Sequence, residues 1–245
     1  QNHSATHLLQ KALREVLGEH VEQAGSSVNA DRLRFDFTHF SGMSTDEIRQ
    51  VERIVNDKIE AALPVRTDVM SLEDARKTGA MALFGEKYGD QVRLVNMGDY
   101  SIELCGGTHV HNTRNIGPFK IISEGSVASG VRRIEAITGP AVLRYYAGVE
   151  KTLQEAAARA KVSPDKLLQK VEELQSQIKD LQSQIDHMKS EAAKESLGDI
   201  EVQDIHGVKL VTRKLKDVDM NQLRDLGDQI KSQIGEGLVV LVSEA

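Results

Sequence analysis

Apolar and polar positions follow several rhythms along this chain. Leu8, Leu9, Leu13, Val16 and Leu17 recur at helical spacing, which predicts a helix over residues 4–17 with Gly18 as its stop. Leu33, Phe35 and Phe37 alternate with Arg34 and Asp36, so a strand with one buried face is expected over 28–37. Ile48, Val51, Val55, Ile59 and Ala62 lie on one helical face. Ser44 and Glu47 form a capping-box pattern at its start, and Pro64 follows its end. Val65, Thr67 and Val69 alternate again. Ser71 and Asp74 then open a short helix over 72–77, stopped by Gly79. Four more strands are predicted at 92–97, 100–104, 119–123 and 131–137. Strands and helices interspersed with short connections predict an α+β domain over residues 1–140, its largely antiparallel sheet packed on helices.

Gly139-Pro140 marks a boundary, and the rhythm then changes. Residues 141–161 are rich in helix formers, and Ser163-Pro164 restarts a helix. Val171, Ile178, Ile185 and Ala192 fall seven apart, and so do Leu167, Leu174, Leu181 and Met188. The two series interleave as the a and d positions of a coiled coil. A seam this narrow needs another helix: a partner chain, giving a homo-oligomer through the 165–192 heptad helix, or the 141–161 segment folded back. A solvated spacer is the third reading. Gly198 ends the helix, so 141–198 is read as a coiled-coil linker. The remainder, 199–245, reads as ββαβ. Its last strand, Leu238-Val239-Val240-Leu241-Val242, is apolar on both faces, as in a covered parallel sheet. About 47 residues make a marginal core, so a truncated domain is expected here.

Composition narrows the class. The chain has 245 residues, 40% hydrophobic and 28% charged, as in soluble globular proteins. No apolar run reaches membrane-spanning length, so no membrane partner is expected. A single cysteine excludes an internal disulfide and fits a cytoplasmic setting. Net charge is −6, which leaves no global basic footprint for nucleic acid. Aromatic content of 4% without tryptophan argues against a base-stacking platform. Gln1 rather than Met opens the chain beside a ligand-bearing helix, so a fragment of a longer protein is expected.

Metal-grade ligands occur in two pairs. His3 and His7 are four apart on the first predicted helix and so share a face. Cys105 and His109 follow a predicted strand, and Gly106-Gly107 between them allows a tight bend. Three imidazoles and one thiolate make a tetrahedral zinc set, with His111 as an alternative ligand. His20, His39, His187 and His206 lack such partners and read as surface or packing residues. No carboxylate–histidine pair at convincing spacing offers a general base. Arg132 and Arg133, with Lys120 and Arg114, form the candidate phosphate-contacting patch. Adjacent strand residues point to opposite faces, so only one of the two arginines can share a surface with Lys120.

His3-Ser4-Ala5-Thr6-His7-Leu8-Leu9 and Glu103-Leu104-Cys105-Gly106-Gly107-Thr108-His109 resemble the signature of the alanyl-tRNA synthetase editing domain. Leu33-Arg34-Phe35-Asp36-Phe37, Ala80-Met81-Ala82-Leu83-Phe84-Gly85-Glu86-Lys87-Tyr88 and Gly130-Val131-Arg132-Arg133-Ile134-Glu135-Ala136 resemble that family in the same order. The resemblance implies a zinc-containing editing domain over 1–140 that hydrolyses tRNA(Ala) mischarged with serine or glycine. It implies one zinc ion on His3, His7, Cys105 and His109. Thr6 and Gln23 match positions that contact the bound amino acid. Residues 199–245 resemble the start of the family's carboxy-terminal domain, which is related to an accessory domain of DHH-type phosphoesterases. The family's later glycine-rich stretch is absent from them. ATP would serve only a ligase core, and no ATP-binding signature occurs in these residues. Threonyl-tRNA synthetase editing domains are similar in the zinc constellation, but the heptad helix and ββαβ tail favour the alanyl family. A free-standing editing protein and a zinc-stapled coiled-coil assembly module are the competing readings.

Overall fold

A computed structural model describes the chain except residues 80–88, 198–200, 217, 219 and 245, and leaves out the side chains of 190, 193–197 and 221. The motif at 80–88 and the helix stop at Gly198 therefore lie outside the described residues. The fold is α+β, in two compact units, Gln1–Thr152 and Leu153–Ala245.

In the first unit, α1 (Asn2–Leu17) and α2 (Thr45–Glu60) pack on a four-stranded antiparallel sheet. Its strands are β1 (Gln23–Val28), β2 (Leu33–Thr38), β6 (Phe119–Ala128) and β7 (Val131–Thr138), in the order β1-β2-β7-β6. Leu8, Leu9 and Leu13 of α1 meet Phe35, Phe37 and Ile134 of the sheet in one core, all fully buried. Burying each such side chain contributes about 1.5–3 kcal/mol relative to exposure. The capping box of α2 is formed: Ser44 accepts from the Glu47 N–H, and Glu47 accepts from the Ser44 N–H. Asn56 fastens α2 to β6 with both ends of its amide, accepting from the Phe119 N–H and donating to its carbonyl.

One expectation changes. Residues 28–37 are not a single strand: β1 ends at Val28 and β2 begins at Leu33. Asn29 makes the turn, its side-chain oxygen accepting the N–H groups of Asp31 and Arg32. The polar run Gly25-Ser26-Ser27 carries no alternation that would reveal β1, and its outer edge is exposed. Such a strand forms because β2 offers it a ladder.

A second antiparallel sheet, ordered β3-β4-β5, comprises β3 (Val65–Ser71), β4 (Gln91–Met97) and β5 (Ser101–Leu104). Val95 and Met97 of β4 face the main core. Val92 and Leu94 join Ala75 of α3 (Leu72–Lys77) in a smaller one. This two-sided burial holds β5, and the turn after it, against the body of the unit.

Helix α4 (Pro140–Arg159) spans the division between the units. In the second unit, α5 (Leu167–Leu197) follows a one-turn 3-10 helix at Pro164–Lys166. Its heptad positions are open to solvent: Leu174 is 40% exposed, Leu181 56% and Ile178 64%. The three-stranded sheet orders β10 (Gly237–Glu244), β9 (Val208–Lys216) and β8 (Gln203–Ile205), with β10 parallel to β9. Helix α6 (Met220–Ile234) covers one face through Leu226 and Ile230. Among the described residues nothing covers the other, where Leu238, Val240 and Val242 are exposed, although the apolar run suggests a strand that needs cover on both faces. One-sided burial leaves less apolar area to resist opening. Amides of β8 and β10 are expected to exchange with deuterium faster than those of β2 and β7, and equal protection would refute this.

Candidate metal centre

Helix α1 carries His3 and His7 on the face turned toward β5 and the turn after it. Its first turn is anchored by Asn2, whose amide donates to the Asn29 carbonyl (2.9 Å) and accepts from the Thr138 hydroxyl (2.6 Å). Strand β5 delivers Cys105. Arg93 on β4 grips the turn that follows, donating to the carbonyls of Gly106 (3.1 Å) and Gly107 (2.7 Å). The Cys105 N–H donates to the Arg93 carbonyl. The turn has to lack a side chain at 107: a Cβ there would overlap the His3 ring.

His3, His7, Cys105 and His109 thus converge, with one ligand atom from each lying within 4.8 Å of the others. Cys105 Sγ is 3.4 Å from both His3 Nε2 and His109 Nε2. A tetrahedral ion with zinc-type bond lengths needs a nitrogen–sulfur edge of about 3.5 Å, so the spacing fits. His7 Nε2 is buried without a hydrogen-bond partner, the condition of a nitrogen reserved for a metal. His111 is exposed, its carbonyl engaged with the Val65 N–H, and it lies outside this group.

Two further residues shape the centre, and their contacts with the histidines form only when distant segments pack. The buried Glu103 carboxylate hydrogen-bonds to His7 Nδ1 and accepts from the Ser101 hydroxyl (2.9 Å). This is a carboxylate–histidine pair, where the sequence suggested none; it bridges 96 positions. Its histidine faces the cluster, so Glu103 orients His7. Ser4 Oγ accepts the Val110 N–H (3.1 Å) and lies 3.2 Å from His109 Nδ1. The signal that could have found Glu103 is the strand period: it sits two residues before Cys105 and on the same face.

Electrostatics favours the ligating thiolate of Cys105 but the protonated form of His7, whose Nε2 proton a metal would have to displace. Burial alone would lower the His7 pKa, but the Cys105 sulfur nearby and the Glu103 carboxylate at Nδ1 push it up to about 10. Burial alone would raise the Cys105 thiol, but the three histidines pull it down to about 3. The thiolate is the form that ligates metals. Burial lowers His109.

The other candidates lie apart from the cluster's polar contacts. Buried Thr6 donates its hydroxyl to the Asn2 carbonyl (3.0 Å). Gln23 opens β1 at a β-bulge. Each candidate phosphate-binding side chain has a protein partner. Arg132 forks onto Glu124 (2.6 and 2.8 Å), Arg133 onto Asp36 (2.7 and 2.8 Å), Lys120 reaches Glu52 (2.9 Å) and Arg114 the Glu60 carbonyl (3.2 Å). Low aromatic content did not foretell one surface feature: His39, His20 and Phe40 stack together, with Phe40 85% exposed.

Residues 92–135 match the threonyl and alanyl tRNA synthetase second additional domain. Across 245 residues the chain is 58% identical to alanine–tRNA ligase 1 of Lachnoclostridium phytofermentans, a match covering 99% of this chain and 28% of that protein. The alanine–tRNA ligases of Clostridioides difficile (49% over 245 residues, 99% of this chain) and Idiomarina loihiensis (48% over 243 residues, 98% of this chain) are also similar, each covered over 28% of its length. Along nearly its whole length, this chain is thus homologous to a segment of alanine–tRNA ligases. It spans a little over a quarter of the length of the curated relatives it matches. The additional-domain match begins one residue into β4 and contains β5, Cys105, Gly107 and His109, so the second half of the candidate cluster lies inside it.

Glu103→Ala should weaken metal binding by about 10- to 100-fold, the usual effect of losing an outer-shell partner of a ligating histidine. Competition with a chromophoric chelator measures it. A variant with parent affinity would remove Glu103 from this role.

Proposed function

We propose that this chain is an aminoacyl-tRNA deacylase that clears tRNA(Ala) mischarged with serine or glycine, as the editing part of an alanine–tRNA ligase. The observation that carries the reading is the convergence of His3, His7, Cys105 and His109 from two family-like motifs about a hundred residues apart. The reaction cleaves the ester between amino acid and terminal ribose with water, releasing the free amino acid and the free tRNA hydroxyl. ATP belongs to the ligase core, outside these residues. Residues 1–140 are assigned as the editing domain, 141–198 as the helical linker and 199–245 as part of a carboxy-terminal domain.

The donor set fits zinc, because three imidazoles and a thiolate suit that ion in tetrahedral geometry. Bound there, zinc would supply positive charge to hold and polarise an acyl ester. The protein's own groups do the rest. Glu103 and Ser4 orient His7 and His109, and Arg93 fixes the turn that carries Cys105. Thr6 and Gln23 are assigned to the amino-acid pocket. With its proton committed to the Asn2 carbonyl, the Thr6 oxygen keeps lone pairs for a donor such as the serine hydroxyl. A polar pocket that holds a hydroxyl gives serine a foothold that alanine lacks. Arg114, Lys120, Arg132 and Arg133 are assigned to the tRNA backbone, offering to phosphate the N–H groups that their protein partners leave over. A cytoplasmic location is assigned; among the described residues no helix is long and apolar enough to cross a membrane.

Incubation with seryl-tRNA(Ala) tests the function. Ester loss is expected with the parent protein, strongly reduced after chelation and abolished in Cys105→Ala, since no other cysteine can replace the thiolate. A Cys105→Ala protein with full zinc and parent activity would overturn the assignment.

The exposed heptad of α5 supports a second assignment, a homo-oligomer through residues 165–192. Leu181→Asp would place a charge in the seam, where burial is costly. It should lower the mass measured by light scattering, and an unchanged mass and helical content would make α5 a solvated spacer.

A further inference from the structure

Four protein ligands close a tetrahedral ion, whereas a metal that handles an external ligand needs a free position. The three imidazoles here are held unequally. His7 is buried and tied through Nδ1 to Glu103, itself bonded to Ser101. His109 has Ser4 Oγ beside its Nδ1, and that oxygen is fixed in turn by the Val110 N–H. His3 differs. Among the described residues its polar contact is Cys105 Sγ, on the Nε2 side, and no carboxylate, hydroxyl or carbonyl holds its Nδ1. It is partly exposed, and its ring rests on the bare Cα of Gly107.

Outer-shell partners fix the orientation and raise the basicity of ligating histidines. A ligand without one is less well oriented, binds more weakly and regains side-chain freedom when it leaves. We propose that His3 is the releasable ligand of this centre. His7, Cys105 and His109 retain the ion, and the position vacated by His3 receives an external oxygen or nitrogen donor. In editing that donor would be the substrate's acyl end or the water that attacks it. The inference rests on reading the four residues as ligands of one ion, and it adds which of them gives way. Gly107 sets how close His3 can come: with no side chain there, the ring reaches the ion, and any Cβ would push it off.

Cobalt(II) loaded into the whole chain tests this without reference to activity, because its visible spectrum reports coordination. Chelator competition compares the parent with His3→Ala, His7→Ala and Gly107→Ala. His3→Ala should keep one cobalt per chain with an affinity loss below about tenfold, and its spectrum should shift on azide titration as azide enters the open position. Gly107→Ala should behave in the same way. His7→Ala should lose about 100-fold or more, since it also strands the Glu103 carboxylate. If His3→Ala loses cobalt as severely as His7→Ala, or holds it with no response to azide, the inference is overturned while the metal centre stands. If the parent itself takes up no cobalt and no zinc, the metal reading falls, and this inference with it.

Discussion

Burial of one face of α1 against the β2–β7 pair is the constraint on which the rest depends. Ala5, Leu8, Leu9, Ala12 and Leu13 are all fully buried, and this packing sets the axial position and rotation of the helix. Those two coordinates decide where His3 and His7 point. The amide of Asn2 then pins the first turn to the β1–β2 turn and to the end of β7. A one-residue slip would turn the histidines by about 100° and carry their nitrogens out of reach of Cys105. The convergence of the four side chains is thus a consequence of core packing.

Around that centre the polar groups form a graded scaffold. A buried carboxylate steadies His7, a hydroxyl lies against His109, and only backbone supports His3. The thiolate collects histidine contacts in place of bulk water, which keeps it charged despite partial burial. Arg93 adds a mechanical element, because its two bonds to the Gly106 and Gly107 carbonyls hold a turn that glycine would otherwise leave loose. Hydrolysis at such a site would draw on orientation already built into the fold.

The second unit follows a different logic. Its helix α5 and the outer face of β10 keep apolar side chains in solvent. The first unit is a folded domain with a finished core. The second presents surfaces, and its heptad has the period of an association element.

The sequence by itself determined much of this. Periodicity located α2, α6 and the heptad of α5, and capping chemistry set the start of α2, because these signals are local. The two ligand pairs were legible for the same reason: each is one turn of helix or one tight bend. Tertiary structure alone decided the rest. Strand β1 lacks any alternation and exists because β2 and its Asn29 turn give it a partner. Glu103 meets His7, Ser4 meets His109, and Asp36 and Glu124 occupy the two arginines, through contacts created when distant segments pack. The unequal holding of the three imidazoles is of this kind. Residue type says that a histidine can bind a metal; only its neighbours in space set how firmly it does so, and those neighbours come from opposite ends of the domain.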